Sequence, residues 1–138
     1  MWPRAEGLRA FSFGDAGPMR RRLTALALAG TKVATAGLWQ QDYLDEGEAI
    51  EVVGERQVLF GDDHQVAAII EITRVETHRF PDVPWEFAQS EGEGFDSIRH
   101  WREGHRSYYA KQGIDVDDST SFVCVWFRLV ETRAERSE

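Results

Sequence analysis

The chain has 138 residues, of which 42% are hydrophobic and 29% charged, so it can build one core and is not an intrinsically disordered chain. A formal net charge of −8 argues against broad electrostatic capture of long nucleic acid, and no apolar run, Val66 to Ile70 included, approaches the roughly 18 residues of a membrane span. One cysteine, Cys124, makes neither an internal disulfide nor a zinc site by itself. The opening stretch MWPRAEGLRAF lacks the apolar segment of a secretory signal, and together these features predict a single cytoplasmic domain over 1–138 with no membrane contact.

In chain order, Pro18 suits the first turn of a helix whose apolar positions are Met19, Leu23, Leu26 and Ala27. Gly30 fits as its left-handed terminator, and Val33 to Trp39 follows as a strand. Residues 40–54 read as a loop with at most a short helical turn. Arg56 to Gly61 and Gln65 to Phe80 read as strands joined by a tight turn at Asp62-Asp63-His64. Pro81 and Pro84 break the second strand, and Trp85 to Ser90 reads as a short helix. Asp96 or Ser97 caps a longer helix reaching about Gln112. Phe122 to Val130 is a buried closing strand, and the charged residues 131–138 are expected to fray. The pattern predicts an α+β fold: a small, mostly antiparallel β-barrel flanked by two or three helices.

Charge is unevenly spread. Asp42 to Asp63 holds eight acids and one base, and the run Asp42 to Glu51 reads as a solvated face. Ser97 to Gln112 holds four bases and one acid, a local patch able to meet a polyanion. On that helix Ile98, Trp101, His105, Tyr108 and Tyr109 share one stripe facing the core. Arg99, Arg102 and Arg106 share the neighbouring one, where guanidinium planes beside rings suit phosphates and stacked bases.

Gly30-Thr31-Lys32 is not a phosphate loop, because the upstream glycine is missing and a helix precedes the lysine. Strand alternation puts Lys32 and Thr35 on opposite faces unless the backbone bends at the glycine. With such a bend, a desolvated Lys32 is a base for the Thr35 hydroxyl; without it, Lys32 is a surface lysine and Thr35 a good strand former. Glu91 and Glu93 sit among glycines just past a short helix, where paired acids can divide acid and base roles or form a polar loop. No His/Cys/Asp spacing matches a structural metal site.

Several motifs in order resemble the ASCH domain family: Phe13-Gly14-Asp15, the helix ending in Ala29-Gly30, Gly30-x-Lys32-x-x-Thr35, Glu91-Gly92-Glu93-Gly94, Trp101-Arg102-x-x-His105 and Phe127-Arg128-Leu129-Val130. They spread over about residues 11–130. The resemblance implies a PUA-like barrel and two activities found among bacterial members. One is cleavage of single-stranded RNA, with a divalent metal such as Mg²⁺ or Mn²⁺. The other is metal-free removal of the acetyl group from N4-acetylcytidine by a lysine, a threonine and a glutamate. Carried over by motif, these are Lys32, Thr35 and Glu91, with Glu93 as the alternative acid because the amidase members are shorter and lack the Glu-Gly-Glu-Gly and Trp-Arg-x-x-His blocks. Overall likeness to the longer group favours the ribonuclease; the amidohydrolase and a non-catalytic RNA-binding module are the alternatives. The expected partner is RNA or a modified nucleoside, with Glu93, Arg99, Arg102, His105 and Arg106 contributing to its binding.

Overall fold

A computed structural model describes residues 1–136. The strands are β1 (Arg4–Ala5), β2 (Leu8–Phe11), β3 (Ala34–Leu38), β4 (Arg56–Phe60), β5 (Val66–Arg79) and β6 (Ser121–Thr132). The helices are α1 (Pro18–Leu28), α2 (Trp85–Glu91), α3 (Ile98–Ala110) and a terminal turn, α4 (Arg133–Arg136). One sheet runs in the order β1-β2-β4-β5-β6-β3. Every ladder is antiparallel except β2 with β4. The fold is α+β as expected, although no described ladder joins β1 to β3, so the sheet stays open at its hydrogen-bonded edge.

β6 explains how one sheet supports two cores. Successive side chains on a strand point to opposite faces. Val123, Val125 and Phe127 therefore enter a core with Leu23 and Ala27 of α1 and Ile70 and Ile72 of β5. Phe122, Cys124 and Trp126 enter a second core with Phe87 of α2 and Trp101 of α3. A strand buried on both faces reads as a near-continuous apolar run, and FVCVWF is one. Across β6, Thr35 of β3 is the register partner of Val125 and so shares its face.

Local chemistry sets the element ends. Pro18 stands in the first turn of α1, and Gly30 ends that helix at φ 81°. Thr31 and Lys32 N–H groups both donate to the Leu26 carbonyl, at 3.0 and 3.1 Å, which turns the chain sharply before β3. Ser97 Oγ accepts from His100 N–H at 3.0 Å at the start of α3.

Three sequence expectations change. The β1–β2 hairpin precedes every element read from the pattern. Trp39–Leu44 winds into a single π-helical turn rather than ending the strand, with the Asp42 carboxylate accepting from Leu38 N–H at 2.7 Å. Glu131 and Thr132 extend β6 by pairing with Ile69 and Ala68, and Arg133–Arg136 is helical, so the expected fraying does not hold over 131–136; residues 137–138 lie outside the described residues.

The end of α2 meets the end of α1 at Gly92 (φ 64°). A Cβ there would lie 2.7 Å from the Thr31 carbonyl carbon and 3.1 Å from Lys32 Cα, both backbone atoms that cannot swing aside. Gly47 has a similar φ of 66° but open space around it. Gly92→Ala should therefore cost about 2–4 kcal/mol, against about 1 kcal/mol for Gly47→Ala, in denaturant unfolding. Equal losses would show that the backbone contact has no energetic weight.

Candidate functional site

Lys32 is only 1% exposed. An isolated buried ammonium is prohibitively costly, so its surroundings must supply acceptors. They do. Nζ donates to the Ala34 carbonyl at 2.8 Å and to Glu93 Oε2 at 2.7 Å, and Glu91 Oε2 lies 3.6 Å away. The Phe13 ring covers the ammonium, its centroid 5.0 Å from Nζ.

The local chain path makes this pairing possible. Val33 N–H donates to the Ser90 carbonyl at 2.9 Å, binding the Lys32 segment to the end of α2. Glu91 is the last residue of that helix, Gly92 turns the backbone, and Glu93 follows. Arg22 of α1 donates to the Glu93 carbonyl at 2.7 Å and pins the loop.

Glu91 is the most confined acid of the group, 2% exposed. Its Oε1 accepts from Trp101 Nε1 at 2.6 Å, and His105 Nε2 stands 3.6 Å from the same oxygen. The His105 ring stacks on Trp101 at 4.0 Å between centroids. Its Nδ1 lies 2.9 Å from the Trp101 carbonyl, which can only accept, so Nδ1 carries a hydrogen and Nε2 is the nitrogen turned to Glu91. Burial pushes the Glu91 carboxyl above the usual range and Glu93 adds to the rise; Lys32, His105 and the Trp101 hydrogen bond pull it back only in part.

These residues line a cavity of about 570 Å³, within the range of small-molecule sites. Lys32, Thr35, Glu91, Glu93 and His105 all border it. The turn after α1 therefore overcomes the opposite-face parity of Lys32 and Thr35. The two are not hydrogen-bonded to one another; the Lys32 Nζ hydrogen bonds go to Ala34 and Glu93. Thr35 makes no side-chain hydrogen bond among the described residues, leaving its hydroxyl free for a ligand.

The arginines lie elsewhere. Arg99 is exposed and paired with Glu103 at 3.1 Å. Arg102 donates to the Pro81 carbonyl at 2.9 Å, and the Arg106 guanidinium covers the Phe80 ring at 5.1 Å. None of the three borders the cavity. Helical spacing correctly puts them on one stripe, but that stripe faces away from the cleft.

Sequence reading missed the opposite polar wall. The stretch Asp42 to Glu51, expected as a solvated face, contains Tyr43 and Glu51 at 4% and 6% exposure, and both line the cavity with Gln57. The available signal was Gln57, a polar residue inside the apolar strand VLF of β4.

A divalent ion does not fit the acidic pair. Lys32 occupies the space between Glu91 and Glu93, and Glu91 Oε1 is committed to Trp101. Among the described residues no group of three or more His, Cys, Asp or Glu side chains is placed to hold an ion.

Comparison with curated proteins returns no match. Solved structures do match. Protein EF3133 from Enterococcus faecalis V583 is 28% identical with a TM-score of 0.79, covering 93% of this chain and 79% of that one. An ASCH domain from Lactobacillus crispatus JV V101 is 32% identical with a TM-score of 0.74, covering 88% of this chain and 79% of its own. The hypothetical protein PH0355, at 14% identity and a TM-score of 0.56, shares the fold alone. No helix among the described residues is long and apolar enough to cross a membrane. The sequence model of the ASCH domain matches residues 9–131, and with that span and these neighbours the chain belongs to the ASCH domain family, with its PUA-like α+β fold.

Proposed function

We propose that the protein is a hydrolase that removes an acyl group from the amine of a small pyrimidine nucleoside, of the N4-acetylcytidine class. The observation that carries this reading is the gathering of Lys32, Thr35, Glu91 and Glu93, from two separate chain segments, on one cavity. A single-stranded RNA site is supported less well, since the arginine stripe lies off the cavity and the acidic pair faces Lys32 rather than a metal.

Amide hydrolysis needs a nucleophilic oxygen, a base for its proton and an acid for the leaving amine. Thr35 supplies the free hydroxyl. Lys32 passes one proton to Glu93, 2.7 Å away, and its amine then takes the Thr35 proton as the oxygen attacks the acyl carbon. Glu91, whose burial favours the protonated form, gives a proton to the amine nitrogen as the carbon–nitrogen bond breaks. Water then attacks the Thr35 ester, the Glu91 carboxylate taking a proton from it; the carboxylic acid leaves as Lys32 returns a proton to Thr35 Oγ1, and Glu93 gives its proton back to Lys32.

The purified protein should release cytidine from N4-acetylcytidine, followed by chromatography, with the rate unchanged by exhaustive chelation. Lys32→Met, Thr35→Val and Glu91→Gln should each lower kcat/KM by about 10²–10⁴-fold. Absence of cytidine release, together with Mg²⁺- or Mn²⁺-dependent cleavage of single-stranded RNA, would sink the proposal in favour of the nuclease.

A second expectation concerns pH. Folded Glu91 holds its proton more tightly than the unfolded chain does. That contribution to stability is complete below the unfolded value of about 4.3 and is lost as pH rises through the raised folded value. Denaturant unfolding of wild type and Glu91→Gln across pH 4–9 should show the wild type losing stability relative to the variant as pH rises. A pH-independent difference would mean that Glu91 titrates normally.

A further inference from the structure

The cavity reaches past the Lys32–Glu91 group to a second polar wall that the hydrolytic steps leave unused. Glu51 and Gln57 stand there, 6% and 2% exposed. Gln57 is the β4 register partner of Ile70, so a primary amide is set into the core face of the sheet. Its Nε2 donates to Glu51 Oε2 at 3.3 Å and to Glu55 Oε2 at 3.0 Å. Those two contacts fix the amide's direction, since the reverse would turn Oε1 against two carboxylates.

Gln57 Oε1 is then left with no donor among the described residues. Glu51 receives the Tyr43 hydroxyl at 2.8 Å and has no cation within ion-pair distance among the described residues. A carboxylate has about four lone-pair sites, so Glu51 also keeps acceptor capacity. Both acceptors belong to side chains lining the cavity, and neither is a sealed, unsatisfied atom, so each is open to a donor that enters the cavity. A ligand's hydroxyls supply such donors.

We infer that this wall is a ribose subsite, in which the adjacent 2′- and 3′-hydroxyls of a nucleoside donate to Glu51 and to Gln57 Oε1. The inference rests on the nucleoside reading above and fixes the substrate's direction, with the acylated amine toward Lys32 and the sugar toward β4. A cationic amine fits less well: the neighbouring carboxylate that would help to hold it, Glu55, is already gripped by Arg9 at 2.7 and 2.8 Å. A diol supplies two donors to two acceptors on different side chains and needs no second charge. An acid accepting from a ribose hydroxyl is a recurrent device in nucleotide sites. Trp2, edge-on to Tyr43 at 5.1 Å, walls the same end of the cavity with an apolar ring.

Calorimetric titration with cytidine, 2′-deoxycytidine and cytosine tests this without turnover. Wild-type protein should bind cytidine about tenfold or more tightly than 2′-deoxycytidine, the loss expected for one hydrogen bond to a charged group. Glu51→Gln, which still accepts from Tyr43, should bring the two within about twofold; Gln57→Leu should weaken both ligands to a similar extent, and the exposed Glu103→Gln should weaken neither. The wild-type comparison stands even if a variant fails to fold. Equal affinities for cytidine and 2′-deoxycytidine, cytosine binding as tightly as cytidine, or no binding of any of the three would each overturn the subsite, whether or not acetylcytidine is hydrolysed. Discrimination for cytidine without hydrolysis would overturn the catalytic reading and leave the subsite standing.

Discussion

A single buried ammonium organises the site end of this molecule. Lys32 is enclosed at the junction of α1 and β3, and three acceptors converge on it: a carbonyl two residues along its own chain, and two carboxylates from the end of α2. Removing one partner of such a group leaves a buried charge unpaired, typically at about 3–5 kcal/mol, so each segment that positions an acceptor is constrained. This accounts for the double hydrogen bond to the Leu26 carbonyl, the side-chain-free contact at Gly92 and the Arg22 grip on the Glu93 carbonyl. None of these three features touches the cavity chemistry directly, yet all three set the spacing of Lys32 from its acids.

The second consequence concerns Glu91. It lies between Lys32 and the Trp101–His105 stack of α3, so one carboxyl group joins the α1, α2 and α3 segments. Its two oxygens face different neighbours, one a cation and the other an indole N–H. Desolvation nonetheless dominates its proton affinity, because the Lys32 charge is shared with Glu93, which holds the shorter contact. Burial and the nearby Glu93 carboxylate both raise the proton affinity of Glu91, which suits an acid role for it.

Much of the frame was legible in the sequence. α1 with its proline start and glycine stop, the β4–β5 pair, the serine-capped α3 and the doubly buried β6 all follow from periodicity and end signals that are local. The site was legible as a set of residue types in order, Lys32, Thr35, Glu91 and Glu93. What sequence could not supply was anything fixed by tertiary direction. Strand parity separated Lys32 from Thr35, and only the turn at the end of α1 reverses that. Helical spacing put Arg99, Arg102 and Arg106 on one stripe but gave no sign that it faces Pro81 and Phe80 rather than the cleft. The acid-rich stretch from Asp42 looked solvated because composition averages over residues, whereas the π-helical turn directs Tyr43 inward, toward buried Glu51.

The charge balance of the cavity bears on the substrate that the proposals require. Its ionisable lining is mostly acidic, with Asp42, Glu51, Glu91 and Glu93 against Lys32, which already donates to Ala34 and Glu93. A phosphate at either polar wall would face carboxylates with no free cation to offset them, since the nearby Arg9 is held by Glu48 and Glu55. A nucleoside without phosphate meets no such penalty, because its hydroxyls are donors and its acyl carbonyl is neutral. The same acidic lining that weakens the case for RNA strands therefore favours an uncharged fragment of RNA, and the overall charge of −8 acts in the same direction at long range. On the proposed reading, selectivity against nucleotides would arise from repulsion as much as from fit, the acids assigned to the chemistry also excluding the charged forms.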